Sequence, residues 1–254
     1  MRVALTGGST GIGAAVVQKL HDDGHHVTVF DISEPKGPAD EWIKADLSDP
    51  SAIQDAIAQA TSSYDALINN AGLPPREGLT EMIIKVNFYG FRTFFEAFED
   101  KLNQGAAIVN TASRAGAMWQ QNLDQVKALM ASDWSEFAAF MESHKIDATR
   151  AYNLSKEAVI VYTISQTERL IQKGLRMNTV SPAAVSTGIL DDFTRAFGPK
   201  VAKNIERAGR PGSPEEIADI ILFLISKESA WIKGQDITID GGMSAMGMTD
   251  MMGL

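Results

Sequence analysis

The chain has 254 residues, of which 44% are hydrophobic and 22% are charged, a composition typical of a globular protein. Its formal net charge of −9 argues against nucleic-acid binding, because phosphate recognition needs a basic surface. The sequence contains no cysteine, which excludes disulfides and thiolate metal sites, and its four histidines lack ligand-like neighbours, so no metal is expected.

Short β-rich runs alternate with helical runs along the chain, a pattern typical of βαβ units. The predicted strands cover residues 3–6, 27–31, 42–45, 66–69, 106–110, 175–180 and 235–240. The predicted helices cover residues 14–23, 51–62, 81–102 and 152–173, the second of them capped by Asp49 or Ser51. These elements predict an α/β fold with a doubly wound parallel seven-stranded sheet (Rossmann fold), in a single domain spanning residues 1–254.

Two features of the sequence bear on location. No apolar run approaches the roughly 18 residues that a membrane helix needs, so no membrane association is expected. A predicted strand follows Met1 directly and leaves no room for a signal peptide. With the lack of cysteine, these features predict a cytoplasmic protein.

The first predicted strand ends in a glycine-rich turn that leads straight into a helix. Glycines 7, 11 and 13 let the backbone turn tightly and approach a pyrophosphate, and the helix N-terminus offers free N–H groups. The second strand ends at Asp31, eighteen residues after Gly13, where a carboxylate accepts hydrogen bonds from ribose hydroxyls and repels a 2′-phosphate. The pattern favours NAD over NADP; the alternative is that Asp31 is a solvated turn residue.

Polar and small residues follow two further strands. Asp46 and Leu47 come after the third predicted strand, and Asn70, Ala71 and Gly72 come after the fourth. Because the carboxyl ends of parallel strands line the cofactor crevice in this fold, both groups are expected there. Each group by itself is also typical of a turn with a polar cap.

Tyr152 and Lys156 stand four residues apart at the start of a predicted helix, which places phenol and ammonium on one face. A phenol with its ordinary pKa of about 10 is a poor base at neutral pH, and a nearby cation favours the phenolate. By itself this spacing often arises by chance and is more typical of a solvated helix face.

The order of the motifs along the chain resembles that of the short-chain dehydrogenase/reductase family. The resemblance extends from residue 3 to about residue 245. It rests on the glycine turn, on Asn69 to Gly72, on residues 86–90, 108–113, 181–187 and 209–218, on Tyr152 with Lys156, and on Asp240-Gly241-Gly242.

The resemblance implies roles for four residues. Tyr152 is the general acid/base, Lys156 lowers its pKa and holds the nicotinamide ribose, and Ser113 hydrogen-bonds the substrate oxygen. Asn87 holds a water that links Lys156 to solvent; the alternatives are that Asn87 is a polar helix residue and Ser113 a turn residue. The implied cofactor-binding residues are Gly7, Ser9, Gly11, Ile12, Gly13, Asp31, Ile32, Asp46, Leu47, Asn70, Ala71, Gly72, Tyr152, Lys156, Pro182, Val185 and Thr187.

The chain departs from the family pattern in two places. Ala183 stands where the family usually has glycine, which implies strain if that position has a positive φ, or a slight shift of the loop that carries Val185 and Thr187. The 38 residues between Ser113 and Tyr152 are far more than most members have. This surplus, an insertion over about residues 118–147, resembles the bacterial branch that includes 3α-hydroxysteroid dehydrogenase/carbonyl reductase.

The insertion is predicted to form one or two amphipathic helices that bury an apolar face and expose Asp124, Asp133, Glu136 and Glu142. In the branch it resembles, the insertion obstructs the helix pair that most relatives use to dimerise, so a homodimer or homotetramer is expected to assemble through another surface. Two interpretations stay open: the insertion only reshapes the subunit interface, or it also walls the substrate pocket, with Met118 and Trp119 as apolar wall.

Specificity is expected from a lid over about residues 187–207. Ile189, Leu190 and Phe193 are its candidate substrate contacts, and their apolar character suits a hydrophobic alcohol or ketone, steroid-like or aromatic. The predicted function is hydride transfer between NAD and such a secondary alcohol or ketone. The alternatives are reduction of a 3-oxoacyl thioester and a catalytically silent NAD-binding regulator.

The tail after Gly242 carries five methionines, at positions 243, 246, 248, 251 and 252. Methionine fills irregular apolar gaps, so the tail is expected to dock on the core or on a neighbouring subunit. The alternative is a lid that contacts substrate.

Overall fold

The computed structural model describes residues 1–61 and 63–254. In this part of the chain seven parallel strands form one sheet in the order β3-β2-β1-β4-β5-β6-β7. The strands are β1 Arg2–Thr6, β2 His26–Asp31, β3 Glu41–Lys44, β4 Tyr64–Asn69, β5 Leu102–Thr111, β6 Arg176–Pro182 and β7 Asp236–Ile239. The strand order reverses between β1 and β4, as predicted for a doubly wound sheet, and opens a crevice at their carboxyl ends.

Helices connect the strands and cover both faces of the sheet. They are α1 Gly11–Asp22, α2 Pro50–Gln59, α3 Thr80–Ile84, α4 Phe91–Phe98, α5 Leu123–Ala131, α6 Phe137–His144, α7 Ala148–Gln172, α8 Leu190–Phe197, α9 Pro199–Ala208, α10 Pro214–Ile225 and α11 Met243–Met252. Asp49 caps α2 by accepting hydrogen bonds from the N–H groups of Ser51 and Ala52, so the cap is Asp49 and not Ser51.

Two apolar clusters hold the layers together. Helices α1 and α10 pack on one face of the sheet, around side chains such as Val16 and Ile221. Helices α2, α4 and α7 pack on the other face, where Phe30, Phe94 and Phe98 form edge-to-face and stacked pairs with ring centroids 5.0–5.6 Å apart. In the described residues, no helix is long and apolar enough to cross a membrane.

The structure corrects several predicted boundaries. The predicted helix 81–102 is divided into α3, a π-helical segment Lys85–Gly90, α4 and a short 3-10 turn Glu99–Lys101, and Leu102 belongs to β5. Strand β5 therefore begins four residues earlier than predicted, with a bulge in its pairing to β4 between Tyr64 and Ala66. Helix α2 ends at Gln59, before the predicted end at Ser62, which lies outside the described residues.

The insertion forms α5 and α6, and its apolar face is buried within the subunit. Val126, Leu129, Phe137 and Phe140 belong to the core cluster that also holds α4 and α7. The predicted polar face is confirmed, since its four carboxylates are exposed: Asp124, Asp133, Glu136 and Glu142.

Polar contacts attach the insertion to α4 and α7. Arg92 of α4 donates to the carbonyl oxygens of Met130 (2.8 Å) and Ser132 (2.9 Å). Glu157 of α7, only 1% exposed, accepts from the guanidinium of Arg150 at 2.7 and 3.0 Å and from the amide of Asn122 at 2.8 Å. The insertion therefore lies against α4 and against α7, the helix that carries Tyr152 and Lys156.

The C-terminal helix α11 is only partly docked. Met243 is buried, whereas Met248, Met251 and Met252 are more than half exposed. Asp250 accepts two hydrogen bonds from Arg207 of α9, and Ser244 accepts one from Arg114. The tail thus docks on its own subunit through Met243 and these polar contacts.

Candidate active site

A crevice of about 710 Å³ opens at the carboxyl ends of the strands. One end is lined by the glycine turn after β1 and by Asp31, and the other by Ser113, Tyr152 and Lys156. Residues more than a hundred positions apart in the sequence thus share one cavity, as the switch point of a doubly wound sheet allows.

The turn after β1 brings backbone very close to backbone. Gly7 has a φ of +74°, and a Cβ at that residue would lie 2.6 Å from the Cα of Ala71. A Cβ on Gly13 would lie 1.8 Å from the carbonyl oxygen of Gly7, so no larger residue fits there. Among the described residues no side chain caps α1. The N–H groups of its first turn are therefore free to donate hydrogen bonds to a ligand in the crevice. The turn fits a pyrophosphate.

Asp31 is held in place at the end of β2. Its two carboxylate oxygens accept hydrogen bonds from the N–H groups of Ser9 and Ser33, each at 3.0 Å. Each oxygen keeps a further lone pair for a hydroxyl in the crevice. The side chain of Ser9 turns away from the cavity and donates to the carbonyl oxygen of Ser33 at 2.5 Å, so Ser9 orients Asp31 through its backbone.

The other residues predicted to bind the cofactor lie along the same crevice. Asn70, which follows β4, links the turn after β1 to the end of β5, because its amide donates to Gly7 O (2.8 Å) and accepts from the hydroxyl of Thr111 (3.2 Å). Asp46 accepts from the backbone and hydroxyl of Ser48. The predicted residues that line the cavity are Gly7, Gly11, Ile12, Asp31, Ile32, Asp46, Leu47, Asn70, Ala71, Gly72, Tyr152, Lys156, Pro182, Val185 and Thr187.

Tyr152 and Lys156 are buried on the first turns of α7, 5% exposed each. The ammonium of Lys156 lies 5.8 Å from the centre of the Tyr152 ring and donates to the carbonyl oxygen of Thr111 at 2.8 Å. A solvated helix face is therefore excluded for this pair.

Burial sets the proton affinity of both groups. It raises the pKa of Tyr152 to about 12, against a smaller lowering by the Ser113 hydroxyl, and it lowers the pKa of Lys156 to about 8. The sequence predicted a lowered pKa for the phenol beside a cation. Burial has the larger effect, so in the protein alone the phenol of Tyr152 is a proton donor at neutral pH.

Ser113 follows β5 and faces the phenol across the crevice. Its hydroxyl oxygen accepts from Ala115 N at 3.2 Å, and the hydroxyl lies 3.5 Å from the carbonyl oxygen of Pro182. Because it lines the cavity with Tyr152, one oxygen atom in the cavity can meet both hydroxyl groups.

Asn87 lies in the π-helical segment, a distortion that is common at functional sites. Its amide clamps the loop after β4 by accepting from Leu73 N at 2.7 Å and donating to Leu73 O at 3.0 Å. It also lies 3.3 Å from the hydroxyl of Ser155 on α7. A Cβ on Gly72 would lie 3.3 Å from Asn87 Oδ1 and 3.4 Å from Lys156 Nζ, so Gly72 separates the amide from the ammonium. The amide is thus occupied, and the water relay stays a prediction.

The loop after β6 carries Ala183 without backbone strain. In the described residues Lys145 is the one non-glycine residue with a positive φ, so the strain considered for Ala183 is absent. Ala183 N donates to Ile239 O at 3.1 Å, and Val185 pairs with Gly212. Val185 and Thr187 therefore still reach the crevice.

The lid region forms α8 and α9. Phe193 of α8 lies edge-on to Tyr152, with ring centroids 5.2 Å apart, and Ile189 lines the same cavity. Leu190 does not line the cavity.

Two ion pairs that the sequence did not predict meet at one buried carboxylate, and one of them attaches α8 to the loop after β4. Asp192, 3% exposed, accepts from Arg76 of the loop after β4 at 2.7 and 3.3 Å, and from Arg195 at 2.5 Å. These guanidinium groups hold the pKa of Asp192 below its usual range.

Sequence reasoning also missed the wall opposite the lid. Leu73, Pro74, Met82 and Val86 line the crevice. Their position after the carboxyl end of β4 was the available signal. No residue of segment 119–151 lines the crevice, and no cluster of three or more His, Asp or Glu side chains suited to a metal occurs in the described residues.

The chain matches two family models. The model described as "short chain dehydrogenase" matches residues 2–125, and the model described as "Enoyl-(Acyl carrier protein) reductase" matches residues 136–244. A coniferyl-alcohol dehydrogenase from Pseudomonas sp. (strain HR199 / DSM 7063) is 32% identical over 96% of each chain. A 3-alpha-hydroxysteroid dehydrogenase/carbonyl reductase from Comamonas testosteroni is 29% identical over 96% of each chain.

The fold also matches a solved structure over almost its whole length. The 3-alpha-hydroxysteroid dehydrogenase from Pseudomonas sp. B-0831, complexed with NADH, has a TM-score of 0.83 and 27% identity and covers 97% of this chain and 98% of its own. Taken with the order of the motifs around one crevice, these matches extend over almost the whole sequence. The chain belongs to the short-chain dehydrogenase/reductase family.

Proposed function

We propose that this protein is an NAD(H)-dependent oxidoreductase that interconverts a hydrophobic secondary alcohol and its ketone. The observation that carries the proposal is the crevice itself, which joins a pyrophosphate-fitting turn and Asp31 at one end to Tyr152, Lys156 and Ser113 at the other. The relatives named as a coniferyl-alcohol and a 3-alpha-hydroxysteroid dehydrogenase support an alcohol as the substrate.

The cofactor fits the residues present. The uncapped N-terminus of α1 takes the pyrophosphate, Asp31 takes the adenosine ribose, and Lys156 lies where the nicotinamide ribose is expected. Bound NAD(H) supplies the hydride acceptor or donor. The carboxylate of Asp31 would repel a 2′-phosphate, which favours NAD(H) over NADP(H) and disfavours a thioester reductase of the NADPH-dependent kind.

Tyr152 and Ser113 act on the substrate oxygen. In the reduction direction the phenol of Tyr152 donates its proton to the ketone oxygen, for which the raised pKa keeps it protonated. The hydroxyl of Ser113 donates a hydrogen bond to the same oxygen and stabilises the charge that develops there. Lys156, held by Thr111 O, keeps a positive charge at the floor of the site.

The lid supports an apolar substrate. Ile189 and Phe193 face the cavity from one side and Leu73, Met82 and Val86 from the other. An aromatic or steroid-like ring system fits between such walls. The division into one catalytic domain with an insertion and a lid, the assembly as a homodimer or homotetramer, and the cytoplasmic location stay predictions.

Replacing Tyr152 by phenylalanine tests the proposal. We expect turnover of aromatic and steroid alcohols with NAD⁺, followed by the absorbance of the reduced cofactor, to fall by about 10²–10⁴-fold, because the proton acceptor is lost. NAD⁺ affinity measured by calorimetry should change little.

The matched control is Tyr162→Phe, which removes a buried phenol of the same helix that bonds Glu96 and does not line the crevice. It should retain turnover. Full turnover in Tyr152→Phe would refute the assigned role.

A further inference from the structure

A second cavity of about 290 Å³ adjoins the crevice and shares Ser113, Ala183 and Phe193 with it. Its other walls come from the turn after β5, from α7, from the lid helices and from the first residue of α11. The reaction proposed above makes no use of this space. A substrate whose oxygen lies at Ser113 and Tyr152 has room to extend past Phe193 into it.

Two basic side chains and no acidic one line this cavity, although the chain as a whole carries a net charge of −9. Arg114 uses its Nε to donate to Ser244 at 2.8 Å and lies 3.5 Å from a carboxylate oxygen of Asp240, which offsets part of its charge. Its two terminal nitrogens bond nothing among the described residues, and Lys200 makes no ion pair there. Both cations therefore have donors left for a ligand.

Two amide side chains add to this polar lining. Asn153 follows Tyr152 on α7, and its buried Oδ1 atom has no hydrogen-bond partner in the described part of the chain. Asn204 lies one helical turn after Lys200 on α9, on the same face. The Oδ1 atom of Asn153 accepts hydrogen bonds, so a water or a hydroxyl group can complete it, whereas the Nδ2 group of the same amide is the donor for an acceptor in the cavity. The remaining lining is largely apolar: Ala115, Met118, Ala183, Ala184, Phe193, Phe197, Val201 and Met243.

We propose that the second cavity is a distal subsite that binds a carboxylate carried by the hydrophobic substrate. Lys200 and Arg114 supply the cationic partners, Asn153 and Asn204 supply amide donors, and the phenylalanines of α8 contact the apolar body between the two ends. A carboxylate accepts several charge-assisted hydrogen bonds, whereas a neutral group leaves Lys200 without a counter-charge and the charge of Arg114 only partly balanced by Asp240. The inference depends on the proposed function for the position of the reacting oxygen.

The test compares two ketones that differ in charge and by one methyl group. Para-acetylhydrocinnamate and its methyl ester are titrated by calorimetry into the full-length protein saturated with NAD⁺, where ketone and oxidised cofactor cannot react. We expect the carboxylate to bind about tenfold more tightly than the ester. The preference should shrink as salt is raised, because both cations are reached by solvent.

Two lysines of α9 give a matched pair of variants. Lys200 lines the cavity, and Lys203 is exposed on the same helix and does not line it. Lys200→Met should remove most of the preference for the carboxylate, and Lys203→Met should leave it unchanged.

Equal affinity for acid and ester, no binding of either compound, or an equal loss in both lysine variants would overturn the subsite. Failure of the proposed function is a separate result. It would be seen as retained turnover in Tyr152→Phe or as a lack of NAD⁺ binding in a titration without ketone.

Discussion

Replacing Lys156 by methionine is expected to abolish activity and yet to raise the free energy of unfolding at neutral pH. The ammonium is 5% exposed, and burial lowers its pKa from 10.5 to about 8. This lowering of the pKa corresponds to roughly 3 kcal/mol at about 1.4 kcal/mol per tenfold change in the equilibrium constant. Losing the hydrogen bond to Thr111 O costs about 1–3 kcal/mol in return. The net gain at neutral pH is therefore about 1 kcal/mol.

The pH dependence separates this explanation from ordinary packing effects. Because the folded pKa lies below the unfolded one, the unfolded state binds more protons between the two values, and wild-type stability rises with pH from about 8 to 10.5. The methionine variant lacks this rise. Its advantage over wild type should shrink by about 2 kcal/mol between about pH 7 and about pH 9.5.

The measurement is urea unfolding followed by circular dichroism at both pH values, without cofactor and at one protein concentration. It gives the difference in the free energy of unfolding between Lys156→Met and wild type. Lys127→Met is the control, since Lys127 is exposed on α5 and has no burial cost to relieve. A difference between Lys156→Met and wild type that is the same at both pH values would refute the reasoning.

Three further substitutions test other parts of the structure. Asp31→Ala should weaken NAD⁺ binding and relax discrimination against NADP⁺; an unchanged ratio of the two dissociation constants would mean that another residue reads the ribose. Gly13→Ala puts a Cβ 1.8 Å from Gly7 O, so NAD⁺ affinity should fall at least about tenfold with circular dichroism retained, and wild-type affinity would contradict the fit of the turn. Arg150→Met leaves the carboxylate of Glu157 buried without its cation, which should lower the free energy of unfolding in urea by about 3 kcal/mol; a loss below about 1 kcal/mol would show that the pair is not needed.

The fold was predictable from the sequence because the central strands β1, β2 and β4 are buried almost throughout and therefore read as short apolar runs between the helices. The boundaries that failed lie where tertiary pairing overrides the local pattern. Strand β5 begins at Leu102 and pairs there with β4 next to a bulge. Its next residues, Asn103, Gln104 and Gly105, are polar or glycine, so the sequence pattern gives no sign of a strand at this point. The π-helical segment at Asn87 keeps the apolar spacing of an α-helix, so periodicity alone did not reveal it.

The site was predictable where a short motif carries the chemistry, as with Tyr152 and Lys156. It was not predictable where residues meet only through the fold. Arg76 and Asp192 are 116 residues apart, and nothing local pairs them. The raised pKa of Tyr152 was also not predictable, because it comes from burial, to which Phe193 of the lid contributes. The sequence shows only the lysine four residues later, which would lower that pKa. The second cavity, which several separate segments enclose, left no local signal.

Lys156 and Glu157 are consecutive residues whose side chains lie in different places. Lys156 lines the crevice, and Glu157 is hydrogen-bonded to the insertion. For protein engineering this means that the insertion is not an exchangeable cassette. A chimera that takes this segment from another member of the family replaces Asn122, so it must also take matching residues at 150 and 157, or it leaves a buried carboxylate unpaired next to Lys156. Grafts should therefore extend into α7 and not end before it.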